Sequence, residues 1–162
     1  MRVLQFHADE IFEMAMQIER NGEKFYLQAA ERATKPQMRQ LLSDLAGIKN
    51  QHKKVFAEMK TKLPKQRWNL PPSADDHAAS YLQARVDAHV FDIKEDPSKR
   101  FSGKETVEDI LKIAIGVEKD SITFYLGIKE VIPEKWGRDS IDTIIKEEMQ
   151  HIVILGKELA SQ

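Results

Sequence analysis

Carboxylates and imidazoles together suit divalent transition metals, and the residues of those types that bear on such chemistry here are Glu19, His52, Glu118, Glu148 and His151. Glu148 and His151 form a Glu-x-x-His pair, which places both on one face of a helix. Taken singly, such residues say little: a helix glutamate is usually solvated, and a lone histidine is more often a satisfied core or surface residue. A repeat changes that reading. Glu19 and Glu118, Tyr26 and Tyr125, and His52 and His151 are each separated by 99 residues. Within Ala15–Leu27, the residues Ala15, Glu19, Phe25, Tyr26 and Leu27 find identical partners in Ala114–Leu126. Only about one identity is expected from average residue usage. The chain therefore carries two copies of one helical hairpin, each with a Glu on its first helix and a His on its second.

The elements that must position these residues are long helices. Helical periodicity begins near Ile11, with Asp9 placed to cap it, and continues to about Ala33. Thr34, Lys35 and Pro36 break it, and a second apolar stripe from Met38 to Met59 ends before Pro64. So short a break makes the two helices antiparallel neighbours. From Pro64 to about Gly103 the prolines 71, 72 and 97 mark a crossover with one shorter helical candidate, roughly Ala74 to Val90. Ser102 and Glu105 read as a capping box opening a third long helix, which Pro133 stops, and a fourth runs from about Gly137 to Leu159. No strand-forming run competes. The expected fold is all-α: a four-helix bundle of two antiparallel hairpins joined by a long crossover containing a short extra helix, in one domain over residues 1–162. At about 36 to 42 Å per long helix, the crossover can travel a full helix length, so the second and third long helices can run parallel.

Composition removes several alternatives. The sequence has no cysteine, which excludes disulfides, thiolate metal sites and thiol nucleophiles, so any metal must use His, Asp or Glu. Twenty-five basic residues nearly cancel twenty-six acidic ones without a block of either sign, which argues against a nucleic-acid partner. No segment has the length of a membrane span, and Met1–Glu10 lacks the features of a cleavable leader, so a cytoplasmic protein with no membrane partner is expected. Two helical turns separate Glu19 from Tyr26 and Glu118 from Tyr125, on faces otherwise lined by Met14, Ile18, Phe25, Val117 and Phe124. The carboxylates are thus expected to point inward, where they need counter-charge. Tyr26 and Tyr125 either hydrogen-bond the ligand carboxylates as supporting groups or serve as aromatic core.

From about Asp9 to Ala160 the chain resembles the rubrerythrin family of the ferritin-like superfamily, in its short form without a rubredoxin domain. The resemblance rests on Ile18-Glu19 with Phe25-Tyr26, on Val117-Glu118 with Phe124-Tyr125, and on Glu147-Glu148-Met149-Gln150-His151. It implies a ferritin-like bundle in which a Glu from each of two helices and a Glu-x-x-His from each of the other two hold two irons. Glu19, His52, Glu118, Glu148 and His151 then become the ligands. The implied activity is reduction of peroxide or dioxygen with electrons from an external donor, since the rubredoxin-type centre would need cysteines. Zinc or manganese can replace iron in such a donor set.

Two positions depart from the pattern. The repeat demands a carboxylate 99 residues before Glu148, and the sequence has Lys49 there; Ser121 stands where many rubrerythrins carry a further Glu. Three glutamates and a protonated Lys49 leave two negative charges, which one divalent ion balances. Asymmetric occupancy follows as an expectation, with Glu118, Glu148 and His151 holding the better site and Glu19 and His52 the weaker, down to a single ion. Lys49 either pairs with Glu19 or Glu148 or carries its charge outward to water on its long stem. Glu23, one turn beyond Glu19, is the nearest group that could fill the gap. His7, His77 and His89 look peripheral, and Asp75-Asp76-His77 reads as a solvated helix start. Alternative functions are a non-catalytic metal-binding bundle and a metal-free interaction protein; a homodimer is expected in each case.

Overall fold

The computed structural model describes residues 5–6, 8–63, 68–69, 76–87 and 97–162. Helix α1 spans Ala8–Arg32 and α2 spans Pro36–Thr61; α3 is Asp76–Asp87, α4 is Val107–Val131 and α5 is Arg138–Ala160. Four long helices pack as two hairpins, α1 on α2 and α4 on α5, and the short α3 lies against α4 and α1. This is the ferritin-like arrangement expected, and no helix among the described residues is long and apolar enough to cross a membrane.

Local chemistry explains the boundaries. Pro36 sits in the first turn of α2, where its missing N–H costs nothing. The capping box of α4 is formed by Thr106 and Asp109: the Asp109 amide donates to Thr106 Oγ1 at 3.1 Å and the Thr106 amide donates to Asp109 Oδ2 at 3.0 Å. The expected box at Ser102 and Glu105 is instead a turn just before the helix, in which Ser102 Oγ donates to Glu105 Oε1 at 2.9 Å and the Gly103 amide to Glu105 Oε2 at 3.0 Å. Both pairs have the same spacing, and only the one adjoining the apolar run can cap it. Asp9 lies inside the first turn of α1 rather than before it. Gly137, with φ of 100°, turns the chain into α5, and a β-carbon there would come within 2.8 Å of Met59 Cε. One small ladder was not expected: Gln5 pairs with Asn69 and Phe6 with Trp68 in antiparallel register. The ends of the short helical candidate, residues 74–75 and 88–90, lie outside the described residues.

The interior is divided. One apolar cluster gathers Phe12 of α1, Phe56 of α2, Phe124 and Ile128 of α4, and Ile141 and Ile145 of α5. The other gathers Phe25 and Ala29 of α1, Leu42 and Leu45 of α2, Leu111 and Ala114 of α4, and Leu155 of α5. Reading along the chain, α1 and α5 pass from the first cluster to the second, and α2 and α4 from the second to the first, so α2 and α4 run parallel. Glu19, Lys49, His52, Glu118, Glu148 and His151 are all buried at the positions where the helices cross from one cluster to the other. They form a polar layer between two apolar halves.

Helix α3 reaches α4 at Gly127, where a β-carbon would lie 3.1 Å from both Leu82 Cδ2 and Tyr81 Cδ1. A larger side chain has to push α3 away. Gly127→Leu is expected to cost about 1 to 3 kcal/mol in urea denaturation through overpacking; an unchanged midpoint would show that the α3 contact contributes little.

Candidate metal centre

Each of the four long helices contributes to the layer from its middle, where backbone hydrogen bonding leaves side chains as the sole donors. Helix α1 supplies Glu19, α2 supplies Lys49 and His52, α4 supplies Glu118, and α5 supplies Glu148 and His151. Glu19, Glu118 and Glu148 are fully buried, and Lys49 is 1% exposed. Two donor sets result, Glu19–His52–Glu148 and Glu118–Glu148–His151, and in each the ligand atoms lie within 4.8 Å of one another. Glu148 is common to both. The two imidazole rings lie 6.4 Å apart across the layer.

The tyrosines exchange partners between the hairpins. Tyr26 Oη donates to Glu118 Oε1 at 2.6 Å, and Tyr125 Oη donates to Glu19 Oε1 at 2.5 Å. Each phenol therefore hydrogen-bonds the carboxylate of the other hairpin, while its ring packs in an apolar cluster, Tyr125 in the first and Tyr26 in the second. Burial, and then the negative charge of Glu148 and Glu19, pushes the Tyr26 phenol well above its usual range; burial, and then Glu19, does the same for Tyr125. Both stay protonated and keep donating.

Lys49 turns inward. Its Nζ donates to Glu118 Oε2 at 2.7 Å and to Glu148 Oε2, and it lies 4.0 Å from Glu19 Oε2. The outward placement of its charge is thereby corrected: the aliphatic stem is packed in the core and cannot carry the ammonium to water. The pairing with Glu148 is as expected, whereas Glu118 rather than Glu19 is the second close partner. Room for the stem comes from Gly22, where a β-carbon would stand 3.2 Å from Lys49 Cδ. At the equivalent repeat position Ser121 donates its hydroxyl to the Val117 carbonyl at 3.0 Å. Burial raises the proton affinity of Glu148, but Lys49 and the imidazoles of His151 and His52 outweigh it and hold the carboxyl far below its usual range.

His52 is gripped from both sides. Its Nε2 meets Glu147 Oε2 at 2.5 Å, while Nδ1 faces inward, 2.8 Å from Glu148 Oε1 and 3.5 Å from Glu19 Oε1. Burial pulls the imidazole's pKa down, but Glu148 and Glu19 pull it up further, to about 10. From the sequence Glu147 enters only as part of the segment that carries the resemblance, with no role of its own. The repeat places Ile48 opposite it, so only the general need of a ligand histidine for a partner on its other nitrogen could have pointed there. Glu23 does not fill the gap left by Lys49, because it pairs with Lys53 at 3.5 Å near the surface. His77 is exposed on α3, and His7, Asp75 and His89 lie outside the described residues.

The layer is not satisfied by its own hydrogen bonds. Among the described residues five buried side-chain atoms have no hydrogen-bond partner, and four of them are here: Glu19 Oε2, His52 Nδ1, Glu148 Oε1 and His151 Nδ1. The 2.8 Å contact between His52 Nδ1 and Glu148 Oε1 is close but misaligned, as for two atoms aimed at a common third point. Buried polar atoms without partners are costly, and a bound cation would complete them.

The Rubrerythrin family model matches residues 10–159, nearly the whole chain. The chain belongs to the rubrerythrin family. Among solved structures, this rubrerythrin-family chain is similar to one described as a ferritin-like diiron-carboxylate protein from Thermotoga maritima, with a TM-score of 0.70, 21% identity and 98% of each chain covered. At that identity the likeness establishes the fold. A comparison with curated protein sequences finds no match.

Two outcomes follow for the metal-free protein. Removing one partner of a buried ion cluster typically costs about 3 to 5 kcal/mol, so Lys49→Met should lower stability by that order in urea melts with chelator present. A neutral effect would mean that the carboxylates are not ionised. The raised pKa of His52 stabilises the fold fully below the unfolded value of 6.5, and that contribution is lost as pH rises through about 10. Stability of the chelated protein should fall across this window and flatten in His52→Gln.

Proposed function

We propose that this protein binds iron in its polar layer and reduces peroxide or dioxygen with electrons from a separate carrier. The observation that carries the reading is the clustering within 4.8 Å of one another of ligand atoms from Glu19 of α1, His52 of α2 and Glu148 of α5, residues that each keep a buried side-chain atom without a hydrogen-bond partner. Membership of the rubrerythrin family supports it, as does the donor set, since hard carboxylates hold ferric iron while imidazoles also hold ferrous iron. Zinc and manganese are competing occupants of the same donors.

Iron, when bound, would supply one-electron redox steps and open positions for the oxidant. The chain's own residues set the conditions. Tyr26 and Tyr125 fix Glu118 and Glu19 by their hydroxyls, so those carboxylates are pre-aimed. His52 must release its proton before Nδ1 can donate a lone pair, and Glu147 holds the ring at Nε2 while it does so. Lys49 keeps a buried ammonium inside the layer, joined to Glu118 and Glu148, where it offsets part of their negative charge. Peroxide takes up two electrons and two protons to give two waters, and with no cysteine in the sequence both electrons originate outside this chain. A cleft of about 390 Å³ between α2 and α5, lined by residues including Leu45, Ile48, Gln51, Glu147 and His151, leads to the edge of the layer. Its volume exceeds that of hydrogen peroxide or dioxygen.

A second reading, a metal-binding bundle without turnover, is favoured by Lys49 standing inside the layer. A homodimer belongs to either reading, on the ground that bundles of this size commonly pair through apolar helix faces, and α5 exposes Met149 and Val153 one turn apart.

Stopped-flow absorbance of the ferrous-loaded protein mixed with hydrogen peroxide separates the two. Oxidation well ahead of free ferrous ion in the same buffer, slowed by Ile48→Trp in the cleft at unchanged metal content, is the expected result. Oxidation no faster than free iron would leave binding alone.

A further inference from the structure

We infer that this chain holds one metal ion, at Glu19, His52 and Glu148, and that the ammonium of Lys49 takes the place of a second. The inference rests on the proposed metal-binding reading and specifies how many ions bind and where.

The two donor sets differ in what is left to give. In the set of Glu118, Glu148 and His151, Glu118 Oε1 already accepts from Tyr26 at 2.6 Å, and Glu118 Oε2 accepts from Lys49 at 2.7 Å. Glu148 Oε2 accepts from Lys49 as well. That leaves His151 Nδ1 as the set's single uncommitted donor apart from the oxygen Glu148 turns the other way. In the set of Glu19, His52 and Glu148, the tyrosine occupies only Glu19 Oε1, so Glu19 Oε2, His52 Nδ1 and Glu148 Oε1 are all without a hydrogen bond. An ion entering the first set has to strip an ammonium from two carboxylates. An ion entering the second displaces no ammonium and no phenol, only the proton of His52. Glu148 then serves both cations, one on each oxygen. The order is the reverse of the one charge counting suggested, because counting could not see which carboxylates Lys49 binds.

Charge sets the limit of one. Three buried carboxylates and one buried ammonium, with His52 neutral once it gives up its proton to the ion, leave two negative charges, which a single divalent ion neutralises. A second would leave the dry layer with two positive charges in excess, and unbalanced charge away from water is strongly unfavourable. Nor is the ammonium an accidental intruder, because Gly22 leaves the space that its stem fills.

Cobalt(II) titration of the full chain by equilibrium dialysis, followed by its d–d absorption, tests this. The natural chain should bind one ion per chain; His52→Gln should lose it, with affinity down by tenfold or more, and His151→Gln should keep it. Lys49→Glu, which restores a fourth carboxylate, should bind two. Two ions in the natural chain, or one ion lost in His151→Gln and kept in His52→Gln, would overturn the inference and leave the metal-binding reading standing. No ion in the natural chain would overturn both. Circular dichroism on each variant checks folding, and should Lys49→Glu not fold, the natural chain and the histidine pair still decide the matter.

Discussion

Three carboxylates buried in the middle of a helical bundle must be neutralised where they stand, and the rest of this structure is arranged around that requirement. Several kcal/mol of effective penalty attach to each uncompensated buried ion, against a total stability of about 5 to 15 kcal/mol for a domain. Glu19, Glu118 and Glu148 could not all remain ionised without help. Lys49 supplies one positive charge through short contacts to two of them, and His52 sits against the face that Lys49 leaves open. The outcome is an interior whose electrostatics are partly closed on one side and still under-coordinated on the other.

The apolar halves make that layer possible. Since each long helix is anchored in both clusters, the polar side chains between them cannot slide towards solvent without unpacking aromatic residues at either end. The exchanged tyrosines add a second constraint, because each hairpin's carboxylate is oriented by the other hairpin. Rotating one hairpin against its partner would break both bonds together. Rigid placement of donors before a ligand arrives is what a metal or small-molecule site needs, and here it comes from the fold itself rather than from loops.

Much of this was legible in the residues, and the reasons for the exceptions are physical. The 99-residue repeat located Glu19, Glu118, His52 and His151 because a side chain's face on a helix follows from its position. Periodicity states which face a residue occupies but not which partner it meets, so the crossing of the tyrosines over to the opposite hairpins stayed hidden. For Lys49 a long flexible stem left two directions open, and Gly22, which decides between them, draws attention only once it is read as empty volume. Glu147 escaped because it lies half-exposed next to a more conspicuous neighbour and has no counterpart in the repeat. The capping box moved by one motif, from Ser102–Glu105 to Thr106–Asp109, since two sequences of equal local merit lie four residues apart. The two-residue ladder between Gln5–Phe6 and Trp68–Asn69 is too short for any pattern to announce.

A crystal structure of the natural chain grown with cobalt tests the central claim most directly, because anomalous scattering locates the ion and the electron density locates Lys49. A single peak bounded by Glu19, His52 and Glu148, with Lys49 still joined to Glu118, is the result this account predicts. Paired peaks on either side of Glu148, or a Lys49 side chain swung out of the layer, would contradict it.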